Sequence, residues 1–277
     1  MLEVPIRYAD AADWQRMSKL IENQRPNWPP GTRTGYHAVT WGWILDQIVR
    51  RADPENRGIG QFFNEEIAAP NGIDFYIGLP SEEEHRVARM TASSPLEWVV
   101  HCLVHEPGLI KRLLQYFYLT MMGSSAHDGS IFDGVINNPY WLKIAGNQIP
   151  FNNPDVHRLQ IASANGIGTA RSLAKIFSLL IEGKLIDQNL LEKIRHPIER
   201  TEEELVIGMR LNIANGFTLH ETEPGHWVVG HLGYGGQVVR FDLKNHLAYA
   251  YLNNGLKPGL MAPLTFKRLE KALYQSL

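Results

Sequence analysis

Two short segments hold residue types able to manage a negatively charged oxygen. The first, Trp28-Pro29-Pro30-Gly31-Thr32-Arg33-Thr34-Gly35-Tyr36-His37-Ala38, runs straight into an apolar-periodic stretch that starts at Val39. A stiff proline-glycine approach fixes Tyr36 just before a helix N-terminus, where the positive end of the backbone dipole favours an anionic oxygen. The second, Gly230-His231-Leu232-Gly233-Tyr234-Gly235-Gly236, leads into the β-rich run Gln237 to Asp242. Glycines there let the backbone approach a ligand closely and present an N–H to a developing oxyanion.

Other candidate chemistry is thinner. Gly166-Ile167-Gly168 opens a helix with no strong strand before it, which is poor support for a phosphate cradle. His101 and His105 stand four apart, so one helix face would carry both imidazoles, but no third ligand follows at a useful spacing. His220, His226 and His231 fall on adjacent candidate strands, and turn-flanked strand histidines do not converge by default. Neither a metal nor an organic cofactor is expected. Walker, His-Glu-x-x-His, Cys-x-x-Cys and Gly-x-Ser-x-Gly patterns are all absent from the sequence.

Bulk properties narrow the class. The 277 residues are 44% hydrophobic and 20% charged, which excludes a disordered chain. Lys and Arg total 27 against 29 Asp and Glu, so no basic field exists to hold a nucleic acid. Cys102 is the sole thiol, and no internal disulfide can form. The first residues lack the basic and apolar regions of a signal peptide, and no apolar run approaches the roughly 18 residues of a membrane span. A soluble, cytoplasmic protein is the default expectation.

The elements that must position the two segments follow from periodicity and punctuation. Asp13 caps a helix toward Gln24, with Trp14, Met17, Leu20 and Ile21 on one face. A second amphipathic helix spans Val39 to Val49 and breaks at Asp53-Pro54, and a short one follows from Ile59 to Ala68. Asp74 to Ile77 reads as extended, and Ser81 to Glu84 as a capped start or an acidic turn. Leu109 to Met122 and Thr169 to Ile181 have helical spacing, the passage 124–165 is irregular, and Asn189 to Arg195 makes a further short helix. Then the chain turns β-rich: Glu204–Asn212, Gly216–His220, His226–Gly230, Gln237–Asp242 and Leu247–Leu252. Ala262 to Tyr274 closes as a helix. The pattern implies one α+β domain over 1–277, with a helical, loop-rich lobe to about residue 200 and antiparallel strands plus a terminal helix from 201.

At these residues the chain resembles the serine β-lactamase and penicillin-binding protein superfamily, nearest the class C β-lactamase and family VIII carboxylesterase branch. The Trp28…Tyr36-His37-Ala38 arrangement resembles the segment carrying Tyr-x-Asn. His231-Leu232-Gly233 is similar to Lys-Thr-Gly, and Ser163-Ala164-Asn165-Gly166 to Ala174 resembles the helix opening between them. The resemblance covers nearly the whole chain. It implies a β-lactamase/transpeptidase-like fold and cleavage of small esters or amides through a serine acyl-enzyme. Tyr36 matches the proton-shuttling tyrosine, His231 the position that orients substrate, and the backbone N–H of Tyr234 half of the oxyanion hole. Ala38, Gly233, Gly235 and Gly236 line the substrate position.

Three departures qualify that reading. Ala38 stands where the family has an asparagine, and His231 where it has lysine. The third concerns the nucleophile: the family's Ser-x-x-Lys precedes the tyrosine by many tens of residues, whereas 35 residues precede Tyr36 and none forms it. One literal match, Ser172-Leu173-Ala174-Lys175, lies on the far side of Tyr36 and shares a helix face, an alternative nucleophile set against a plain surface pair. A free phenol has a pKa near 10, so bringing it to neutrality takes about 4 kcal/mol, which nearby cations normally supply. The expectation is an N-terminally truncated family member, catalytically impaired, with a bare sheet edge that makes a homo-oligomer a candidate state. A non-catalytic binding or assembly protein on the same fold is the competing reading, and a histidine-built metal hydrolase a third.

Overall fold

Asp13 starts the first substantial helix as its sequence position implies: its carboxylate accepts from the backbone N–H groups of Gln15 and Arg16 at 2.9 and 3.0 Å. The computed structural model describes residues 4–94, 139–144, 148–198, 212–257 and 262–277. A single turn, α1 (Tyr8–Ala11), precedes α2 (Trp14–Glu22), and α3 spans Thr40–Ala52. Asp53 ends α3 and takes up Arg57 through backbone and guanidinium bonds of 2.8 to 3.0 Å. The expected helix at Ile59–Ala68 is α4 (Ile59–Phe62) widening into a π-helical turn, Phe63–Ala68.

Strand β1 (Phe75–Ile77) is followed by a 3₁₀ turn over Ser81–Arg86, by β2 (Thr91–Ala92), and by the short helix α5 (Pro154–His157). Gly166–Gly168 is itself a strand, β3, antiparallel to β1, rather than a loop opening a helix. The physical reason is a neighbour the sequence does not reveal: a Cβ added at Gly166 or Gly168 would lie 2.5 Å from the Phe75 ring. The two glycines are the seat of that ring. Thr169 then caps α6 (Ala170–Ile181), and Asp187 caps α7 (Gln188–Glu192).

The last part is an antiparallel meander in sequence order: β4 (Ile213–Ala214), β5 (Phe217–Glu223), β6 (His226–Gly233), β7 (Gln237–Asp242) and β8 (Leu247–Tyr251). Strand β9 (Gly255–Leu256) pairs parallel with β2, and α8 (Leu264–Gln275) ends the chain. Cross-strand partners place Leu219, Val229 and Phe241 in one row. That row packs on Leu180 and Ile181 of α6 and on Leu191 of α7, with Phe177 stacked 5.1 Å from Phe241. The opposite face carries Val238, Tyr249 and Tyr251 against Phe266 of α8. A separate core of Ile6, Met17, Trp43, Leu142, Val156, Leu159 and Ile161 holds the first helices together.

The expected helix Leu109–Met122, the strand Glu204–Asn212 apart from its last residue, and His101, Cys102 and His105 lie outside the described residues. Among the described residues no helix is long and apolar enough to cross a membrane.

Candidate active site

Tyr36 and His231, 195 positions apart in sequence, are stacked in space. Their ring centroids are 6.3 Å apart and their planes 18° from parallel. Each is delivered by a local device. Ahead of Tyr36, the Trp28 indole donates to Arg33 O at 3.1 Å, Thr32 Oγ1 donates to Pro29 O at 2.6 Å, and Gly31 takes φ +81° to make the turn. Behind it, His37 Nδ1 and Thr40 Oγ1 are 2.8 Å apart across the head of α3.

His231 is set by the sheet. Strand β5 stops accompanying β6 at Thr218↔Gly230, while β6 continues with β7 through His231↔Val239, Leu232↔Val238 and Gly233↔Gln237. Among the described residues, then, the final stretch of β6 has a ladder partner on one side only. Alternation puts His231 on the face of Val229, the α6 side. Burial pushes the His231 imidazole below its ordinary 6.5, against a backbone hydrogen bond with Leu232 that works the other way. At neutral pH the ring is therefore an uncharged hydrogen-bonding group, not a fixed cation.

The β6–β7 turn is held from beneath. Gly235 and Gly236 have φ of +79° and +94°, and a Cβ at Gly235 would meet Leu256 Cδ2 at 2.3 Å. Gly235 O accepts from Lys257 N at 2.9 Å. Gln237 and Asn253 exchange bonds: Gln237 Nε2 donates to Asn253 O at 2.9 Å, and Asn253 N donates to Gln237 Oε1 at 2.8 Å. Gly233 and Tyr234 sit at the head of this fixed turn, with Tyr234 54% exposed. Ala38 lies half-buried two residues beyond Tyr36.

Ser172 and Lys175 are both employed elsewhere. The Ser172 hydroxyl is buried and accepts from Asp74 N at 3.0 Å, and the Lys175 ammonium donates to Asn71 O. Each holds the 71–74 segment; no hydrogen bond joins them to each other among the described residues. His220 and His226 do not converge with His231. His226 and His220 (through its partner Val228) fall on the face opposite His231. His226 is closed onto Asp242, and burial, then Arg240 and His231, push His220 down to about 4. No group of three or more His, Cys, Asp or Glu among the described residues is arranged to hold a metal ion.

Two features escaped sequence reading. One is the polar cluster under α8, where Arg240 meets Glu270, Tyr249 donates to Glu270 at 2.7 Å, and Tyr274 donates to Asp242 at 2.9 Å. Its sequence trace is two charged residues, Arg240 and Asp242, in a strand whose other inner positions are apolar. The other is Ser163, whose hydroxyl bonds to the start of α3.

The chain as a whole is similar to known proteins. A protein-family model described as Beta-lactamase matches residues 5–273. Among curated proteins, the Esterase/beta-lactamase LipL of Mycobacterium tuberculosis is 24% identical over 237 residues, covering 81% of this chain and 49% of that protein. Among solved structures, a family VIII carboxylesterase superposes with a TM-score of 0.76 at 25% identity, covering 100% of this chain and 67% of the other. A penicillin-binding protein homologue from Caulobacter crescentus gives 0.72 at 25% identity, with 99% and 67% covered. EstA from Arthrobacter nitroguajacolicus Rue61a gives 0.73 at 21%, a likeness of fold. The chain spans about half the length of the curated relative that it matches.

Proposed function

The chain belongs to the Beta-lactamase family, and from that membership we propose that it forms one wall of an acyl-transfer site for small esters or amides. Its fold is of the β-lactamase/transpeptidase type, helices with an antiparallel sheet. In the proposed roles Tyr36 moves the proton, His231 orients the substrate as a neutral hydrogen-bonding group, and the Tyr234 N–H receives the oxyanion. Ala38, Gly233, Gly235 and Gly236 line the acyl position. The observation that carries this reading is the Tyr36–His231 stack beside a rigid, glycine-built turn at the free end of β6.

The chemistry asked of such a site is a two-step exchange. A serine oxygen gives its proton to the phenolate of Tyr36 and bonds to the carbonyl carbon. The developing negative oxygen is met by backbone N–H, and the carbon–oxygen or carbon–nitrogen bond then breaks as the leaving group takes the proton. Water repeats the attack on the acyl-serine and releases the acid. Within the 277 residues Ser-x-x-Lys occurs once, at Ser172 and Lys175. Those groups are bonded to Asp74 and Asn71. The chain by itself is therefore proposed to be catalytically impaired, contributing walls without the nucleophile.

A second reading, self-association on the same fold, is favoured by β8. This strand has β7 on one side and no ladder partner on the other among the described residues, and Leu247–Tyr251 contains no charge or proline to discourage pairing.

Hydrolysis of p-nitrophenyl butyrate by the 277-residue chain, with Tyr36→Phe and Ser172→Ala beside it, tests the first reading. No rate above buffer is expected for any of the three. Turnover abolished by Ser172→Ala would show a relocated nucleophile and overturn the impaired reading. Sedimentation velocity on the same samples tests the second: a concentration-independent monomer removes it.

A further inference from the structure

We propose that Ser163 is the positioning residue for Tyr36, acting as the helix cap that α3 lacks in its own sequence. The proposal rests on the reading of Tyr36 as a site residue.

Helices α2, α6 and α7 begin at Asp13, Thr169 and Asp187, whose side chains accept first-turn amides. Helix α3 begins after Val39, whose side chain has no acceptor to offer. Ser163, 124 residues further along, supplies one. Its hydroxyl accepts from Gly42 N at 3.1 Å and donates to Val39 O at 2.6 Å. Gly42 N also reaches Val39 O at 3.1 Å, so the hydroxyl closes a three-membered ring of bonds over the first turn.

Both sides of this junction are shaped for it. A Cβ on Gly42 would lie 2.8 Å from the backbone nitrogens of Ala162 and Ser163, so only glycine lets the two segments meet. The serine sits on a rigid anchor. Ala164 N and Asn165 N both bond to Ile161 O at 2.9 Å, and the buried Asn165 amide donates to Val156 O at 2.7 Å and Leu159 O at 2.6 Å. From Val39 the chain runs back three residues to Tyr36, braced by the His37–Thr40 pair. Ser163 acts on the Tyr36 ring through this backbone path, from an anchor in the 161–165 turn. The sequence places Ser163 in a family-like helix opening without a role of its own; the cross-chain cap supplies that role.

The test uses the whole chain, labelled at histidine, tyrosine and glycine, and read by NMR without substrate. In the unaltered protein the Gly42 amide exchanges slowly and the Tyr36 and His231 rings show a direct proton–proton contact; absence of either overturns the proposal. In Ser163→Ala, Gly42 exchange quickens about tenfold, as loss of one hydrogen bond implies. The ring contact weakens and the His231 titration midpoint rises toward about 6.5 as burial relaxes. Ser163→Thr, which keeps the hydroxyl, restores all three. His226, sealed on Asp242, is the internal reference. An unchanged His231 midpoint in Ser163→Ala, or His226 ring chemical shifts that change as much as those of His231 at fixed pH, overturns the proposal. If the alanine variant does not fold, Ser163→Thr against Ser163→Val, isosteres differing in the hydroxyl, decides the same question. None of these readouts depends on ester turnover, so failure of the catalytic reading and failure of the positioning role are seen separately.

Discussion

Nε2 of His226 lies 3.0 Å from Oδ2 of Asp242, and both side chains are closed off from solvent beneath the sheet. The carboxylate also accepts from Lys244 N, Asn245 N, the Asn245 amide and the Tyr274 hydroxyl, at 2.8 to 3.1 Å. Burial alone would push Asp242 up, but bonds from His226, Asn245 and Tyr274 outweigh it and hold the group below its ordinary 3.8. Asp242→Asn turns one acceptor oxygen into a donor facing donors. It is expected to lower stability by roughly 1–3 kcal/mol, the cost of leaving buried donors without an acceptor. Urea denaturation reads this directly, and a loss under about 1 kcal/mol would mean the cluster is not anchoring α8.

The histidines and aspartates give stability two acid-sensitive ranges. His220 is held down to about 4 by burial, then by Arg240 and His231. Its folded value lies below the unfolded 6.5, so the unfolded chain binds more protons between them. Stability present above pH 6.5 is lost as pH falls through about 4. Asp10 and Asp53, held at about 2 chiefly by Arg7 and Arg57, add a second loss from 3.8 toward about 2. Urea midpoints against pH should fall in both ranges. His220→Leu should flatten the upper range and leave the lower one alone; an upper range as steep as in the unaltered chain would show that His220 is not its source.

Residues whose structural partner is a sequence neighbour were readable in advance. Asp13 caps where its spacing to an apolar periodicity says it should, the helix expected from Thr169 to Ile181 begins one residue later with Thr169 as its cap, and the strand Gln237–Asp242 was legible to the residue from its β-branched run and flanking glycines. What the sequence hid depends on partners far away along the chain. Phe75 turns Gly166 and Gly168 into a strand, Ser163 caps a helix 121 residues upstream of it, and Arg240 sits in a core strand because Glu270 meets it. The site shows the same division. Tyr36, His231 and the Gly233–Gly236 turn were selected by local composition and resemblance. The stack that joins Tyr36 to His231, and the neutrality of the buried imidazole, exist only in three dimensions.

The glycine pair in β3 makes a sharp test of whether small residues there serve a ligand or a ring. A Cβ at Gly168 would stand 2.5 Å from Phe75 Cδ2, 2.6 Å from Asp74 O and 2.8 Å from Phe75 Cα. Backbone cannot swing aside as a flexible side chain can. Gly168→Ala is expected to cost about 1–3 kcal/mol by forced repacking. Inorganic phosphate, ADP or NAD at millimolar concentration should leave the melting temperature of the unaltered chain unchanged. A rise that disappears in the alanine variant would restore a phosphate role to this segment.

His231→Lys asks what kind of substrate the site is built for. The environment that lowers the imidazole would meet a lysine ammonium with the same burial, so its folded pKa should fall below the ordinary 10.4. A depressed folded value gives stability that is present above pH 10.4 and lost as pH falls through the folded pKa; each tenfold weakening of proton binding in the folded state costs about 1.4 kcal/mol. The lysine variant should therefore be less stable than His231→Gln at pH 7, and the gap should narrow by pH 10. Urea midpoints at the two pH values measure it. If the site refuses the cation, the proposed acyl-transfer role would suit esters and amides without a carboxylate beside the reacting bond, because nothing at position 231 would offset the desolvation of that anion. Equal stability of the two variants at pH 7 would mean that the pocket tolerates fixed positive charge, and the preference for uncharged substrates would have to be given up.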